Sequence, residues 1–91
     1  MFVGPSHVFV AQAKSNVAHV YVKTGRLEDA AGMLRDSLKV RRKVLGRSHP
    51  DTILATKRCL FVALKLGNEE ESKECLEELT FFEEEVRDEW V

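Results

Sequence analysis

The sequence predicts an all-α fold of four helices arranged as two antiparallel helix-turn-helix pairs. Three observations support this prediction. Apolar residues recur at spacings of three and four along four segments, a glycine ends each of the first three segments, and the pattern repeats after 42 residues. No segment alternates apolar and polar residues as a strand does. The 91 residues are therefore expected to form one domain, with repeat 1 at about 6–46 and repeat 2 at about 48–91.

Helices one and two are predicted from their apolar spacing and from their ends. Helix one should span about 6–24, and Gly25 ends it. Helix two should span about 27–45, with two acidic residues in its first turn and Gly46 after its last. The predicted buried positions are Val10, Ala13, Val17, Ala18, Val20 and Tyr21 in helix one, and Leu27, Ala30, Ala31, Leu34, Leu38 and Leu45 in helix two.

Helices three and four differ in how their apolar residues are distributed. Helix three, at about 50–66, is apolar on most sides, which predicts burial on more than one face. Gly67 ends it, and Asn68 is a good cap for helix four, at about 69–88. The acidic run from Glu69 to Glu89 is expected to form the solvated outer face of helix four. Its predicted buried stripe is Leu76, Leu79, Phe82 and Val86.

The junction between helices two and three is the most informative stretch. Gly46 is expected to adopt a left-handed conformation that closes helix two, and Ser48 to cap helix three. The same order of glycine, serine and histidine recurs 42 residues earlier, at 4–7. Residues 1–4 are therefore either the last turn of a helix from a preceding repeat or a disordered start that matches by chance.

Charge is distributed unevenly, although the formal net charge is −1. Residues 1–67 carry a net charge of +8, and residues 68–91 carry −9. The two ends of the chain therefore carry opposite fields, and helix one lacks a preceding helix to cover it. We expect the isolated chain to self-associate, either head to tail or about a two-fold axis.

Several function classes have no support in the sequence. It contains no paired acid and base, activated nucleophile or phosphate-binding loop, so we expect no catalytic residues and no enzyme. Cys59 and Cys75 are expected to be free buried thiols, and no closely spaced ligand pair predicts a metal or a cofactor. No apolar run could span a bilayer and no signal peptide is apparent, so a soluble cytoplasmic protein is expected.

Nucleic-acid binding is also not expected. A basic run could touch phosphates, but the chain has no recognisable nucleic-acid motif, is not strongly basic overall, and ends in an acidic helix that would repel DNA. The basic residues concerned are Arg35, Lys39, Arg41, Arg42, Lys43 and Arg47.

A set of residues in the first half of the chain resembles a known repeat family. The set comprises Asn16, Val17, Ala18, Tyr21, residues 25–30, Leu34, Leu38, Leu45, Gly46 and residues 49–52. These residues resemble a tetratricopeptide repeat, and the 42-residue period with the His-Pro-Asp-Thr junction resembles the type found in kinesin light chains. The resemblance implies two helix pairs stacked as a short right-handed α-solenoid. Repeat 2 is degenerate, and the heptad coiled coil of a whole light chain is missing.

The resemblance also implies a binding site. In this family the first helix of each pair lines a concave groove that holds a peptide or a partner helix, and Asn16 would hold a peptide backbone. The lysines and the arginine of the set favour an acidic segment. The residues that the resemblance places along the groove are Gln12, Ser15, Asn16, His19, Val22 and Lys23 in helix one, and Leu54, Lys57, Arg58, Phe61, Leu64 and Lys65 in helix three. Those predicted to bind the partner are Asn16, His19, Lys23, Lys57, Arg58, Phe61 and Lys65. The plain alternative is a solvated lysine-rich face without a ligand.

Two further functions remain open from the sequence. The chain could be a structural fragment that assembles with itself or caps a larger repeat protein. It could also be a regulatory sensor domain within a longer chain. A substitution such as Asn16→Ala should harm groove binding and spare the structural role.

Overall fold

Four helices account for most of the chain. The computed structural model describes the backbone of residues 4–90 and the side chains of residues 8–81. The helices are α1 (Gly4–Lys23), α2 (Leu27–Leu45), α3 (Pro50–Leu66) and α4 (Glu69–Trp90). No strand occurs among residues 4–90. The predicted all-α, tetratricopeptide-like arrangement is therefore confirmed, and the bounds of α2 and α3 agree with the prediction.

Each helix packs against the next helix along the chain. Gln12 and Lys14 of α1 contact Arg41 and Asp36 of α2, so the two helices run antiparallel. The core is built largely from small side chains, which allow helices to approach closely. Its fully buried members are Ala18, Ala30, Ala31, Leu34, Leu38, Ala55, Cys59, Val62 and Cys75.

The predicted buried face of α1 is mostly wrong. Val10, Val17 and Val20 are 41–56% exposed, whereas Ala11 and Ser15 are buried along with the correctly predicted Ala18. Apolar residues occur all around α1, so spacing alone does not identify which stripe α2 covers. α2 packs on the stripe with the smallest side chains, because that stripe gives the closest approach.

The predicted buried stripe of α4 is wrong at its first position. Leu76 is 49% exposed, whereas Cys75, one residue before it, and Ser72, one turn before it, are buried. Leu79 is half-buried. The side chains of Phe82 and Val86 lie outside the described residues. α4 also continues to Trp90, two residues beyond the predicted end.

The junction between α2 and α3 uses a different cap from the one predicted. His49, rather than Ser48, occupies the N-cap position, and its Nδ1 accepts a hydrogen bond of 3.1 Å from the backbone N–H of Asp51. Ser48 lies one residue too early to reach the orphan donors of the first turn. Gly46 has φ 89° and ψ 162°, an extended conformation open only to glycine, rather than the left-handed helical one adopted by Gly67.

The weaker copy of this junction does not end a helix. Gly4 is the first residue of α1, so it does not occupy the closing position that its match with Gly46 predicted. The following proline at the second helical position is compatible with a helix start, because its missing N–H has no partner there in any case. Residues 1–3 lie outside the described residues.

Two ion pairs join α2 to α4 across α3. Arg35 donates to both carboxylate oxygens of Glu71 at 2.9–3.1 Å, and Arg42 pairs with Glu78 in the same way one heptad later. The parallel order of the partners shows that α2 and α4 run in the same direction. The side chains of Glu71 and Glu78 are only 17% and 13% exposed.

These contacts correct the prediction that the acidic run only faces solvent. Two of its glutamates bind the basic residues of α2, so part of the positive and negative segments meets within one chain. The sequence analysis did not predict these ion pairs, because no local pattern distinguishes a glutamate that faces an arginine on another helix from one that faces water.

Two glycine substitutions should shift stability in opposite directions. Gly32 lies inside α2, and an added Cβ would meet no atom within 4 Å. Gly32→Ala should therefore stabilise the fold by about 0.5–1 kcal/mol, through helix propensity alone. Gly46→Ala meets no atom either, but its φ of 89° should cost about 1–3 kcal/mol. Urea unfolding followed by circular dichroism measures both, and equal effects would contradict the assigned backbone conformations.

The α2–α4 ion pairs should contribute measurably to stability. A double-mutant cycle with Arg42→Ala and Glu78→Ala should give a coupling free energy of about 1 kcal/mol, since the carboxylate is mostly shielded from water. The pair Lys14–Asp36 is the control, because its side chains are 37% and 60% exposed and its coupling should be below about 0.5 kcal/mol. Equal coupling in the two cycles would mean that the shielding has no effect.

Candidate functional site

A cleft lies between α1 and α3, with α2 beneath it. Its volume is about 850 Å³, within the range of peptide and ligand sites. The lining residues come mainly from single faces of α1 and α3, at spacings of three and four. They are Ser15, Asn16, Ala18, His19, Val22, Lys23, Leu34, Lys57, Arg58, Phe61 and Val62.

The structure brings six of the seven predicted groove residues to this cleft. Asn16, His19 and Lys23 come from α1, and Lys57, Arg58 and Phe61 from α3. Lys65 does not line the cleft itself. Its ammonium lies 5.5 Å from the centre of the Phe61 ring, where the cation is attracted to the ring face. Lys65 therefore adds its charge at the edge of the cleft.

The floor of the cleft is apolar and closely packed. Ala18 and Val62 are 1% exposed, and Leu34 of α2, the helix beneath, is 3% exposed. Phe61 is 49% exposed and stands at the wall. A ligand entering the cleft would therefore meet a rigid apolar base with one large aromatic side chain beside it.

The rim of the cleft is cationic. Lys23, Lys57 and Arg58 are exposed, and the ion pairs found within residues 8–81 do not involve them. No acidic residue lines the cleft. The three positive charges are therefore available to an anionic group from outside the chain.

Beneath one end of the cleft lies a buried arginine held by neutral partners. Arg41 is 4% exposed; it donates to Ser15 Oγ at 3.1 Å and to Gln12 Oε1 at 2.9 Å. Burial lowers the pKa of Arg41, while the nearby Asp51 carboxylate opposes that shift. Ser37 Oγ donates to the carbonyl of Ala11, so in its 2.9 Å contact with Ser15 the serine of α1 is the donor.

Arg41 fixes the orientation of the side-chain amide of Asn16, which lines the cleft. Because Arg41 can only donate, the contacting atom of Gln12 must be its oxygen, and the Gln12 nitrogen then donates to Asn16 Oδ1 at 3.1 Å. The Asn16 oxygen thus already accepts one hydrogen bond, and the donors of its Nδ2 remain for a ligand in the cleft. The sequence prediction placed both Gln12 and Asn16 along the groove, but Gln12 does not line the cleft and instead supports Asn16. The role of Arg41 was not predicted. The only sequence signal was the spacing of Gln12, Ser15 and Asn16 on one face.

The structure also limits the chemistry of the cysteines. Cys59 and Cys75 are free and buried. Burial, with a smaller contribution from Cys75, raises the pKa of Cys59 to about 12, and burial also raises that of Cys75. A thiol with so high a pKa is a poor nucleophile and a poor metal ligand near neutral pH.

The described part of the chain holds neither a metal-binding cluster nor a membrane-spanning helix. No group of three or more His, Cys, Asp or Glu side chains there is arranged to hold a metal ion. None of its helices combines the length and apolar character needed to cross a membrane.

One known family resembles the first helix pair. Residues 10–51 match the family model described as tetratricopeptide repeat. This match supports a tetratricopeptide repeat here. It covers α1 from Val10, all of α2, and the turn into α3, slightly under half of the chain. No curated protein and no solved structure matches the chain significantly. Tetratricopeptide repeats generally mediate interactions between proteins, so the match favours protein binding as the general role.

The raised cysteine pKa predicts slow thiol chemistry and a loss of stability in alkali. At pH 8, the folded chain should react with a thiol-specific disulfide reagent at least about 100-fold more slowly than the chain in urea. The stability that comes from keeping Cys59 protonated is fully present below pH about 9 and is lost as the pH rises toward about 12, since the unfolded thiol ionises first.

The matched variant for this prediction is Cys59→Ala. Its unfolding free energy should fall less than that of the unchanged chain between pH 8 and pH 10.5, because the other titrating groups are common to both. An identical fall in the two proteins would show that the Cys59 thiol is not protected by burial.

Proposed function

We propose that this chain is a protein-interaction module that binds a peptide or a partner helix non-covalently in the cleft between α1 and α3. The observation that carries the proposal is the combination of an apolar floor, a cationic rim, and the side-chain amide of Asn16 in the cleft lining. An acidic segment suits the rim, because Lys23, Lys57 and Arg58 have no anionic partner of their own among residues 8–81.

The amide of Asn16 adds a specific requirement on the ligand. Because its oxygen already accepts from Gln12 while its nitrogen keeps two donors, Asn16 favours an acceptor, such as a backbone carbonyl of the bound segment. Recognition would thus combine a backbone contact at Asn16 with carboxylate contacts at the rim. The same proposal includes that the chain acts by binding alone, that it catalyses no reaction, and that it acts in the cytoplasm.

The repeat type is proposed to be the kinesin light chain-like variety. The support is the 42-residue period and the sequence His49-Pro50-Asp51-Thr52 at the repeat junction. Each of the first two residues has a clear structural role there: the histidine caps α3 and the proline occupies its first position. This assignment concerns the repeat alone and carries no transport function.

A second candidate function is structural, namely assembly of the chain with copies of itself. The observation that favours it is the exposure of large apolar side chains away from the cleft, among them Val10, Val17, Val20, Leu64 and Leu76. Contiguous exposed apolar surface commonly marks an interaction site.

A peptide-display screen on the folded chain tests the cleft. The enriched peptides should be acidic, and the double variant Lys57→Glu with Arg58→Glu should weaken their binding at least about tenfold, or about 1.4 kcal/mol. Asn16→Ala should weaken binding less, by about 1 kcal/mol for one hydrogen bond. Calorimetry with one enriched peptide measures each change.

The matched control is Lys43→Glu, which reverses a charge on exposed α2 surface outside the cleft lining. It should leave peptide binding within about twofold. If Lys43→Glu and the cleft variant weaken binding equally, the attraction is a general charge effect and the cleft proposal fails. An absence of enriched peptides also counts against it.

A further inference from the structure

The exposed face of α1 has a counterpart elsewhere in the chain that is buried. This face consists of Val10, Ala13, Val17 and Val20, all exposed. Moving forward by the 42-residue repeat gives Thr52, Ala55, Cys59 and Val62 of α3, which are 0–4% exposed. The α3 residues are buried because α3 packs on the first helix pair and under α4. The α1 face thus has the composition and spacing of an interface, but it is exposed, and none of the helices described over residues 4–90 covers it.

The second surface is a groove rather than a helix face. A groove of about 770 Å³ between α3 and α4 is lined by Leu64, Gly67, Glu69, Ser72, Lys73, Leu76, Glu77, Thr80 and Phe81. Leu76 is 49% exposed there, and its counterpart one repeat earlier, Leu34, is 3% exposed. Leu34 belongs to the core cluster with Ala55 and Val62 of α3. The α3–α4 groove is therefore the repeat 2 equivalent of the surface on which α3 sits in repeat 1.

The two surfaces are complementary in charge as well as in position. α1 contains lysines and histidines but no acidic residue. The α3–α4 groove, by contrast, is lined mostly by α4, whose sequence is rich in glutamate. Glu69 and Glu77 line the groove itself. An apolar face on a helix without carboxylates is thus matched by a groove with apolar side chains, two glutamates and one lysine, Lys73.

We propose that the chain assembles head to tail, with the exposed face of α1 of one copy packed in the α3–α4 groove of the next copy. In this contact α1 takes the position that α3 takes on the first helix pair within one chain. The contact joins two different surfaces, so it is heterologous and adds copies without closing on itself unless a ring forms. This head-to-tail contact rests on the assembly function proposed above and specifies which two surfaces meet. It does not depend on peptide binding in the cleft.

One substitution on each surface tests this geometry. Val17→Glu places a charge on the α1 face, and Leu76→Glu places one in the groove; both positions are already 41% and 49% exposed, so the fold should be kept. The unchanged chain should form concentration-dependent oligomers in sedimentation velocity at about 100 µM. Each variant alone should be monomeric, with association weakened at least tenfold, or about 1.4 kcal/mol.

Mixing the two variants gives the decisive result. The Leu76→Glu chain keeps an intact α1 face, and the Val17→Glu chain keeps an intact groove. An equimolar mixture should therefore form a dimer of one copy of each and grow no further, because the remaining surfaces carry the substitutions. Raising the salt from 0.05 M to 0.5 M should weaken this dimer, since part of the attraction is between opposite charges.

One control variant and three contrary outcomes complete the test. Val44→Glu makes the same chemical change at a 40% exposed position on α2, outside both surfaces, and should associate like the unchanged chain. If Leu76→Glu still dimerises while Val17→Glu does not, α1 pairs with α1 about a two-fold axis; the head-to-tail geometry is then wrong and assembly stands. If both variants still associate, another surface is responsible and the geometry is again wrong. A monomeric unchanged chain at about 100 µM overturns both the geometry and the assembly function.

Discussion

The close packing of α1 on α2 is the contact on which the rest of the structure depends. Small side chains at Ala11, Ser15 and Ala18 allow this approach, and the approach seals Arg41 between the helices. Sealing the arginine fixes the side-chain amide of Gln12 and, through it, that of Asn16 in the cleft lining. Packing of α2 on the small side chains also leaves the larger valines of α1 on the outside. The binding surface and the exposed apolar face therefore have one physical origin.

The second constraint is electrostatic and acts between the repeats. Arg35 and Arg42 of α2 pair with glutamates of α4 that are also one heptad apart. These ion pairs hold α2 and α4, the second helices of the two repeats, parallel to each other. This tie neutralises part of the basic stretch that the sequence offered as a phosphate-binding surface. The cations at the rim of the cleft, Lys23, Lys57 and Arg58, are not among the ion pairs of residues 8–81. They therefore keep their charge for a ligand, while part of the charge of α2 is neutralised within the chain.

The sequence predicted the helices better than their buried faces. Bounds were set correctly at α2 and α3 because glycines with positive φ and a first-turn proline act locally, within a few residues. The faces of α1 and α4 depend on which neighbour covers them, and Val17 and Leu76 satisfy the apolar spacing without being covered. Six predicted groove residues share one cleft because a repeat fixes their register, but the support from Arg41 arises from contacts across helices that no local pattern encodes.

The repeat also connects the two proposed functions. Within one chain, α1 and α3 lie side by side and their exposed faces form the cleft. In a head-to-tail assembly, α1 of the next copy would lie beside α3 as α3 lies beside α1, so the row of cleft-forming helices would continue from copy to copy. His19, Lys23 and their α3 counterparts would then recur along one extended concave surface. Assembly would lengthen the binding surface without altering any contact inside a single cleft, because the α1 face and the cleft use different sides of the same helix.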